Sequence, residues 1–267
     1  MVGADVKHTF AVLAYKESRY LEDCIKSVLN QKYHSHVVIG TSTPNDHIFG
    51  LAKRYGLEVF VNANSRGIGY DYDFGASLGT TDLVTIAHQD DIYDYTYADR
   101  VVKAYEDSVD PLMIFPGYYA IKKGKRVYMD LNFVFKGIML YPLRFRPFRG
   151  RRFFKRLALR FGDPIMCPAV AYVRRKLPVP LFACDDLTCS VDWFAYEILT
   201  LEAGEFVYMK DRLMGHRIHD GSTTTKTIGA NQRTEEDVYI LKKFWPTPIA
   251  KLVAKLYKSS EWANRVD

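Results

Sequence analysis

The 267-residue chain is 48% hydrophobic and 25% charged, a composition that supports a sizeable buried core and excludes a disordered or collagen-like polymer. No apolar run approaches the ~20 residues that a membrane-crossing helix needs, and residues 1–7 lack the basic start and apolar stretch of a secretory signal. The net charge of +6 points to an anionic partner such as a nucleotide, a lipid headgroup or nucleic acid. The four cysteines (Cys24, Cys167, Cys184, Cys189) form no CxxC pair, so reduced thiols and a cytoplasmic setting are expected.

In chain order, residues 9–14 read as a short apolar strand. From Tyr20 the apolar positions Tyr20, Leu21, Cys24, Ile25, Val28 and Leu29 follow helical spacing, with Glu22 and Asp23 at the end where a helix dipole favours acids. Residues 36–40 form a second strand signal. It ends in the polar run 41–46, which can open another helix that closes near Tyr55-Gly56. Residues 57–61 are a third strand and 83–87 a fourth, running into His88-Gln89-Asp90-Asp91. Strands alternating with helices imply βαβ units and a mostly parallel sheet, whose ligands bind beyond the carboxyl ends of the strands. The runs 41–46 and 88–91 therefore converge on one predicted site.

The second half is less regular. A strand lies within 111–123, and aromatic and basic residues dominate up to about Phe161. An apolar segment, 165–173, precedes Pro178 and Pro180, and a helix starting near Asp192 carries Trp193, Phe194, Tyr196, Ile198 and Leu199. In the final helix Thr247 can cap, Pro248 suits the first turn, and Ile249, Leu252, Val253, Leu256 and Tyr257 form one apolar stripe, with Lys251, Lys255 and Lys258 off it. Such a helix can pack on the core, pair with another subunit or lie on a membrane.

Adjacent Asp90 and Asp91 repel each other, and either a shared hard cation or hydrogen-bond donors would relieve them. A cation there would neutralise charge on a departing nucleoside diphosphate; the competing reading is that the pair caps a following helix. Asp192, at a helix start, is either a general base or a first-turn acid. In the segment 215–222, His219 can complete a metal shell, while Arg217 or Ser222 can meet phosphate oxygens. Arg144, Arg146, Arg149, Arg151, Arg152, Lys155, Arg156 and Arg160 occupy 144–161 without an acid. Read as a helix, this segment aligns Phe153, Phe154, Leu157, Ala158 and Phe161, which suits an anionic membrane surface, a solvated basic face or a flap over the site. No nucleic-acid recognition motif is present, so no nucleic-acid partner is expected. Gly67-x-Gly69 lacks the third glycine of a dinucleotide fingerprint, Tyr72 standing in its place.

From about residue 8 to 222 the chain resembles the family 2 glycosyltransferases, an inverting GT-A family. The likeness is carried by Ala11-Val12-Leu13-Ala14-Tyr15-Lys16-Glu17 and by the helix that ends Ser27-Val28-Leu29-Asn30-Gln31. His88-Gln89-Asp90-Asp91 stands where the family carries Asp-x-Asp-Asp, Val191-Asp192-Trp193 resembles its Glu-Asp-Trp segment, and Arg217-Ile218-His219 through Ser222 resembles Arg-x-His-x-x-Ser. The chain departs at His88, at Gly40-Thr41-Ser42-Thr43 where paired aspartates are usual, and at Tyr72-Asp73 where Arg-Asn is usual.

The resemblance implies a GT-A-type α/β fold with a mostly parallel central sheet flanked by helices. It implies a glycosyltransferase domain over 1–225 (donor half about 1–110, acceptor half about 111–225), followed by a C-terminal helical extension, 226–267, with the amphipathic helix. Asp192 is the implied catalytic base, and Asp90, Asp91 and His219 the implied ligands of Mn2+ or Mg2+. Ala14, Tyr15, Glu17, Thr41, Ser42, Asn45, Asp73, Gln89, Asp90 and Arg217 are the implied contacts of a nucleotide-sugar donor. The expected reaction moves a sugar with inversion to a hydroxyl of a glycan or lipid-linked acceptor, in bacterial surface polysaccharide or glycolipid synthesis. The expected setting is cytoplasmic, peripheral to the membrane through 144–161. A nucleotidyltransferase would call for a glycine-rich basic loop where Tyr15-Lys16-Glu17-Ser18-Arg19 stands. A non-catalytic, degenerate transferase serving as a membrane-associated partner or carbohydrate-binding subunit is the other alternative.

Overall fold

The computed structural model describes residues 7–128, 131–219 and 232–262. The first half alternates as expected: β1 (His8–Ala14), α1 (Leu21–Leu29), β2 (His36–Thr41), α2 (Asp46–Tyr55), β3 (Glu58–Val61), α3 (Ile68–Ser77) and β4 (Leu83–His88). There follow β5 (Ile92–Tyr93), α4 (Tyr97–Glu106), β6 (Pro111–Lys122), β7 (Lys125–Val127), α5 (Leu131–Leu140), α6 (Arg146–Arg149) and α7 (Arg152–Leu159). The chain continues through β8 (Ala171–Val173), α8 (Val191–Leu199), β9 (Glu205–Ile218), α9 (Gln232–Leu241) and α10 (Thr247–Trp262).

The strands form one sheet in the order β3-β2-β1-β4-β8-β6-β9-β5, with β7 paired to β6. β1 runs parallel to both β2 and β4, and Leu13 lies opposite Gly40 on one side and His88 on the other. That register brings three strand ends, and the loops that follow them, to one edge. The short β8 is antiparallel to β4 and β6, and β6 pairs parallel with the long β9.

Successive β1 side chains go to opposite faces, and both faces are dry. Phe10, Val12 and Ala14 pack with α1, α2 and α4. Ala11 and Leu13 belong to the other cluster, with Tyr72 and Ala76 of α3 and Trp193, Tyr196 and Leu199 of α8. The cysteines are free thiols, and among the described residues no helix is long and apolar enough to cross a membrane.

Two expectations for the second half are corrected. Segment 144–161 is not one helix; it is split into α6 and α7 around Gly150. Nor does it present its aromatics on one face: Phe153 and Phe161 are exposed, whereas Lys155 is 1% exposed and donates to the carbonyls of Glu202 (2.6 Å) and Gly204 (3.2 Å). Burial lowers the Lys155 pKa to about 8. Arg156 bonds Glu197 and the Lys243 carbonyl, and Arg149 the Leu143 carbonyl, so three of the eight cations are held within the protein. In α10 the buried stripe is rotated from the expected one. Ala250 and Ala254 face inward with Val253 and Tyr257 against the core, and Ile249, Leu252 and Leu256 are exposed. Small residues let the helix approach closely, and Tyr257 comes 5.8 Å from the Trp193 ring. Helices α9 and α10, within the expected extension, thus contribute to the same core as α8.

Gly69 illustrates how tightly α3 meets the loop before α8. A Cβ there would lie 2.4 Å from the Phe182 carbonyl oxygen, a backbone atom that cannot swing away. Gly69→Ala should lower unfolding free energy by about 1–3 kcal/mol in a denaturant titration. Gly50→Ala, mid-α2 with nothing within 4 Å of the added carbon, should be neutral or stabilising by up to ~1 kcal/mol.

Candidate active site

The loops after β1 and β4 are tied together by one side chain. Gln89 accepts from the Tyr15 N–H (3.0 Å) and donates to the Tyr15 carbonyl (2.9 Å). Lys16 then takes a left-handed conformation (φ 55°), which turns its N–H onto the Thr43 hydroxyl at 2.5 Å. The three loops at the sheet edge are therefore mutually fixed, with the Tyr15 ring and Glu17 exposed beside them. Ala14, the last residue of β1, is buried beneath.

At the end of β2, Thr41 is buried and its hydroxyl accepts from the Thr43 N–H. Ser42 donates to Asp71 (2.8 Å), whose other carboxylate oxygen accepts from Asn62 (2.9 Å). Asp71 thus brings a carboxylate to a strand end whose own sequence lacks one, and sequence reading missed it. Two expected donor contacts serve the scaffold. Asn45 caps α2, accepting from the Ile48 N–H and donating to the Thr43 carbonyl, so both of its polar atoms are engaged. Asp73 accepts from the N–H groups of Leu181, Phe182 and Ala183, at 2.7 to 3.2 Å.

Asp90 and Asp91 diverge, and β5 follows them, so they cap no helix. Asp91 is 1% exposed and its Oδ1 accepts from His216 Nδ1 and the Arg217 N–H, both at 3.0 Å. Burial opposes its ionisation most strongly, but His216, His88 and that N–H together outweigh it and hold the pKa below the usual range. Asp91 is therefore a buried anion tied to β9 through Oδ1, while its Oδ2 has no hydrogen-bond partner among the described residues. Asp90 accepts from Ser18 (2.9 Å) and lies 3.2 Å from His219 Nε2, while its carbonyl accepts from Arg217 Nε (3.0 Å). Tyr20, expected on the apolar face of α1, instead precedes that helix and lies 4.4 Å beneath the Arg217 guanidinium and 4.9 Å from the His219 ring. His88 is stacked on Tyr72 at 5.0 Å, and burial lowers its pKa.

Asp90 and His219 offer one carboxylate and one imidazole side by side. Among the described residues, no group of three or more His, Cys, Asp or Glu side chains is placed to hold a metal. The pair fits a hard cation that completes its shell with water and diphosphate oxygens. Ser222 lies outside the described residues.

Asp192 sits in the first turn of α8. Burial raises its pKa, against the Trp193 N–H bonded to Oδ1 (2.9 Å). Asp163 stands within its electrostatic reach; burial, and then the charge of Asp192, push Asp163 well above the usual range. Tyr72 connects Asp192 to the other cluster: burial and then the charges of Cys167, Asp192, Asp91 and Asp71 raise its pKa. Asp185 and Asp186, just upstream of α8, face solvent, Asp185 beside Tyr70 and Arg66.

The loop entering α8 is gripped by α9. Glu236 accepts from the N–H groups of Thr188 (2.9 Å), Cys189 (2.8 Å) and Ser190 (2.9 Å), and Asp237 accepts from the Ser190 hydroxyl (3.0 Å). Sequence reading missed Glu236, whose partners are 46–48 residues away, and Asp163, marked only as the acid that closes a long basic segment.

Asp91→Asn should cost about 1–3 kcal/mol at neutral pH, because His216 and the Arg217 N–H lose a charged acceptor. The folded pKa of Asp91 is depressed, so its contribution is complete above the unfolded value of about 4 and is lost as pH falls through the lower folded value. Unfolding free energies of the two proteins, compared from pH 7 downward, should diverge at neutral pH and converge below about pH 4.

Three solved structures share this architecture at low sequence identity. TarS 1–349 of S. aureus, solved in complex with UDP-GlcNAc, aligns at TM-score 0.64 and 12% identity over 97% of this chain and 73% of that one. The mannosyltransferase PcManGT from Pyrobaculum calidifontis, in complex with GDP-Man and Mn2+, aligns at 0.62 and 14% over 99% and 77%. Glucosyl-3-phosphoglycerate synthase from Mycobacterium tuberculosis, in complex with UDP, aligns at 0.56 and 15% over 89% and 79%. No curated protein matches the sequence. The profile of glycosyl transferase family 2 matches residues 9–178, more than half of the chain, and the chain belongs to that family.

Proposed function

We propose that this protein transfers a sugar, with inversion, from a nucleotide-sugar donor to a hydroxyl of a glycan or lipid-linked acceptor, in the assembly of a bacterial surface polysaccharide or glycolipid. The observation that carries this reading is the cluster of Asp90, His219 and Arg217 around Tyr20, at the edge where three parallel strands end. The donor's nucleoside lies toward Thr41, Ser42 and Asp71, and its diphosphate toward Arg217 and the Asp90–His219 pair. Tyr15, Glu17 and Gln89 border it. Complexes of the structural relatives with UDP, UDP-GlcNAc and GDP-Man with Mn2+ support a nucleotide-sugar and a divalent cation here.

Asp90 and His219 would hold Mn2+ or Mg2+, which when bound offsets the charge that develops on the departing diphosphate. Arg217, fixed by the Asp90 carbonyl and the Tyr20 ring, offers its guanidinium to the same oxygens. Asp192 takes the proton of the acceptor hydroxyl as that oxygen attacks the anomeric carbon from the face opposite the diphosphate. A site built at strand ends on the inner side of the cell membrane fits a chain that works on lipid-linked or nascent surface glycans.

The test is a panel of nucleotide sugars, following donor binding and sugar-dependent diphosphate release with Mn2+, Mg2+ or EDTA. Asp192→Asn should retain donor binding and lose about 10²–10⁴-fold in turnover; turnover equal to the parent protein would remove Asp192 from its role. Asp90→Ala should lose metal-dependent donor binding. In the parent protein the acid limb of the rate profile should lie above the ordinary carboxylate range, because Asp192 must be ionised to act and burial raises its pKa.

A further inference from the structure

Helix α5, the turn Tyr141–Arg144, strands β6 and β9 and residues 164–166 surround a cavity of about 630 Å³. Lys136, Arg144, Lys210 and Arg212 line it, and no Asp or Glu is among the described residues that do. In a chain with 37 basic and 31 acidic residues, four cations around one cavity without a carboxylate is a local concentration of charge. Three of them lie against aromatic faces: Lys136 5.2 Å from the Tyr118 ring, Arg212 4.9 Å from Phe133 and Arg144 5.7 Å from Tyr141. Rings and cations together suit a molecule that carries both a sugar-like or apolar face and a negative group.

The cavity adjoins the acid pair. Pro164 and Ile165 in its wall directly follow Asp163, and Lys136 acts electrostatically on both Asp163 and Asp192. Tyr118 meets the edge of His216, the residue that holds Asp91. The cavity wall is therefore continuous in sequence with the acid Asp163, and none of its lining residues belongs to the Ser42–Asp71 end of the site. Its outer rim is apolar, with Val134 and Ile138 of α5 at 43% and 65% exposure. An anionic group entering this half-enclosed space meets donors from α5, from the turn Tyr141–Arg144 and from β9.

We infer that this cavity is the acceptor site and that the acceptor is a phosphate-bearing alcohol, its phosphate seated among Lys136, Arg144, Lys210 and Arg212. The assignment as acceptor rests on the proposed transfer reaction; the binding of a phosphate ester does not. Two sources share this chemistry: a phosphate attached to a hydrocarbon chain, and a phosphoester of a soluble polyol or polymer.

The test measures binding by the full chain, without donor, of dodecyl phosphate below its micelle concentration, of glycerol 1-phosphate and of neutral octyl glucoside. Both phosphates should bind more tightly than the glucoside. Arg144→Gln with Lys210→Gln, and separately Arg212→Gln, should each weaken phosphate binding tenfold or more. Arg152→Gln with Lys251→Gln, which removes two exposed charges elsewhere, should leave it unchanged, and thermal unfolding checks that each variant is folded. Dodecyl phosphate binding well above glycerol phosphate assigns a lipid-linked acceptor; similar affinities assign a soluble phosphoester. Equal binding of the glucoside, equal loss in the Arg152/Lys251 variant, or displacement of the phosphate by a nucleoside diphosphate would overturn the inference. Absence of phosphate binding alongside intact donor-dependent diphosphate release would sink this site alone. Phosphate binding with no donor binding would leave the cavity as an anion site and remove the reaction.

Discussion

The site depends on a buried charge. Asp91 is withdrawn from water at the end of β4, a cost of several kcal/mol for an unpartnered carboxylate. Its relief comes from His216 and the Arg217 N–H, both on β9. These hydrogen bonds tie the far end of β9 to the turn between β4 and β5. With that end pinned, Arg217 meets the Asp90 carbonyl and His219 meets the Asp90 carboxylate. Two adjacent acids of the same type thus acquire different surroundings, Asp91 buried against β9 and Asp90 beside Ser18 and His219.

A second pair of acids lies near α8. Asp163 and Asp192 are within electrostatic reach of each other, and burial raises both. Two neighbouring buried carboxyls each make the other's ionisation more costly. In one pair, hydrogen-bond donors stabilise a buried anion; in the other, burial and mutual repulsion disfavour the charge. The aromatic ring of Tyr72, stacked on His88 and sensing Asp192, lies between the two arrangements.

The legibility of this protein in its sequence follows the range of the interactions. Strands β1 to β4 and the helices between them are encoded by short periodic patterns and local caps, so the parallel sheet and its functional edge could be read directly. Asp90, Arg217 and His219 were legible through motif resemblance and do converge. The side chains of Asn45 and Asp73 were misread because their partners are backbone N–H groups, Ile48 close by and residues 181–183 far along the chain, which no motif announces. Segment 144–161 misled for a related reason. A lysine inside an amphipathic pattern reads as surface, but Lys155 finds two carbonyls at the turn before β9 and is buried by them. Asp71, Asp163 and Glu236 were invisible because their roles exist only once distant segments meet.

The grip of Glu236 on residues 188–190 also carries a consequence for the order in which the protein is made. Asp192 precedes α9 in the chain, and the carboxylate that holds its loop comes more than forty positions later. During synthesis the parallel sheet and its donor edge can assemble from residues already present, while the loop before α8 awaits α9. The surroundings of Asp192 are therefore completed late, when α9 reaches the loop before α8.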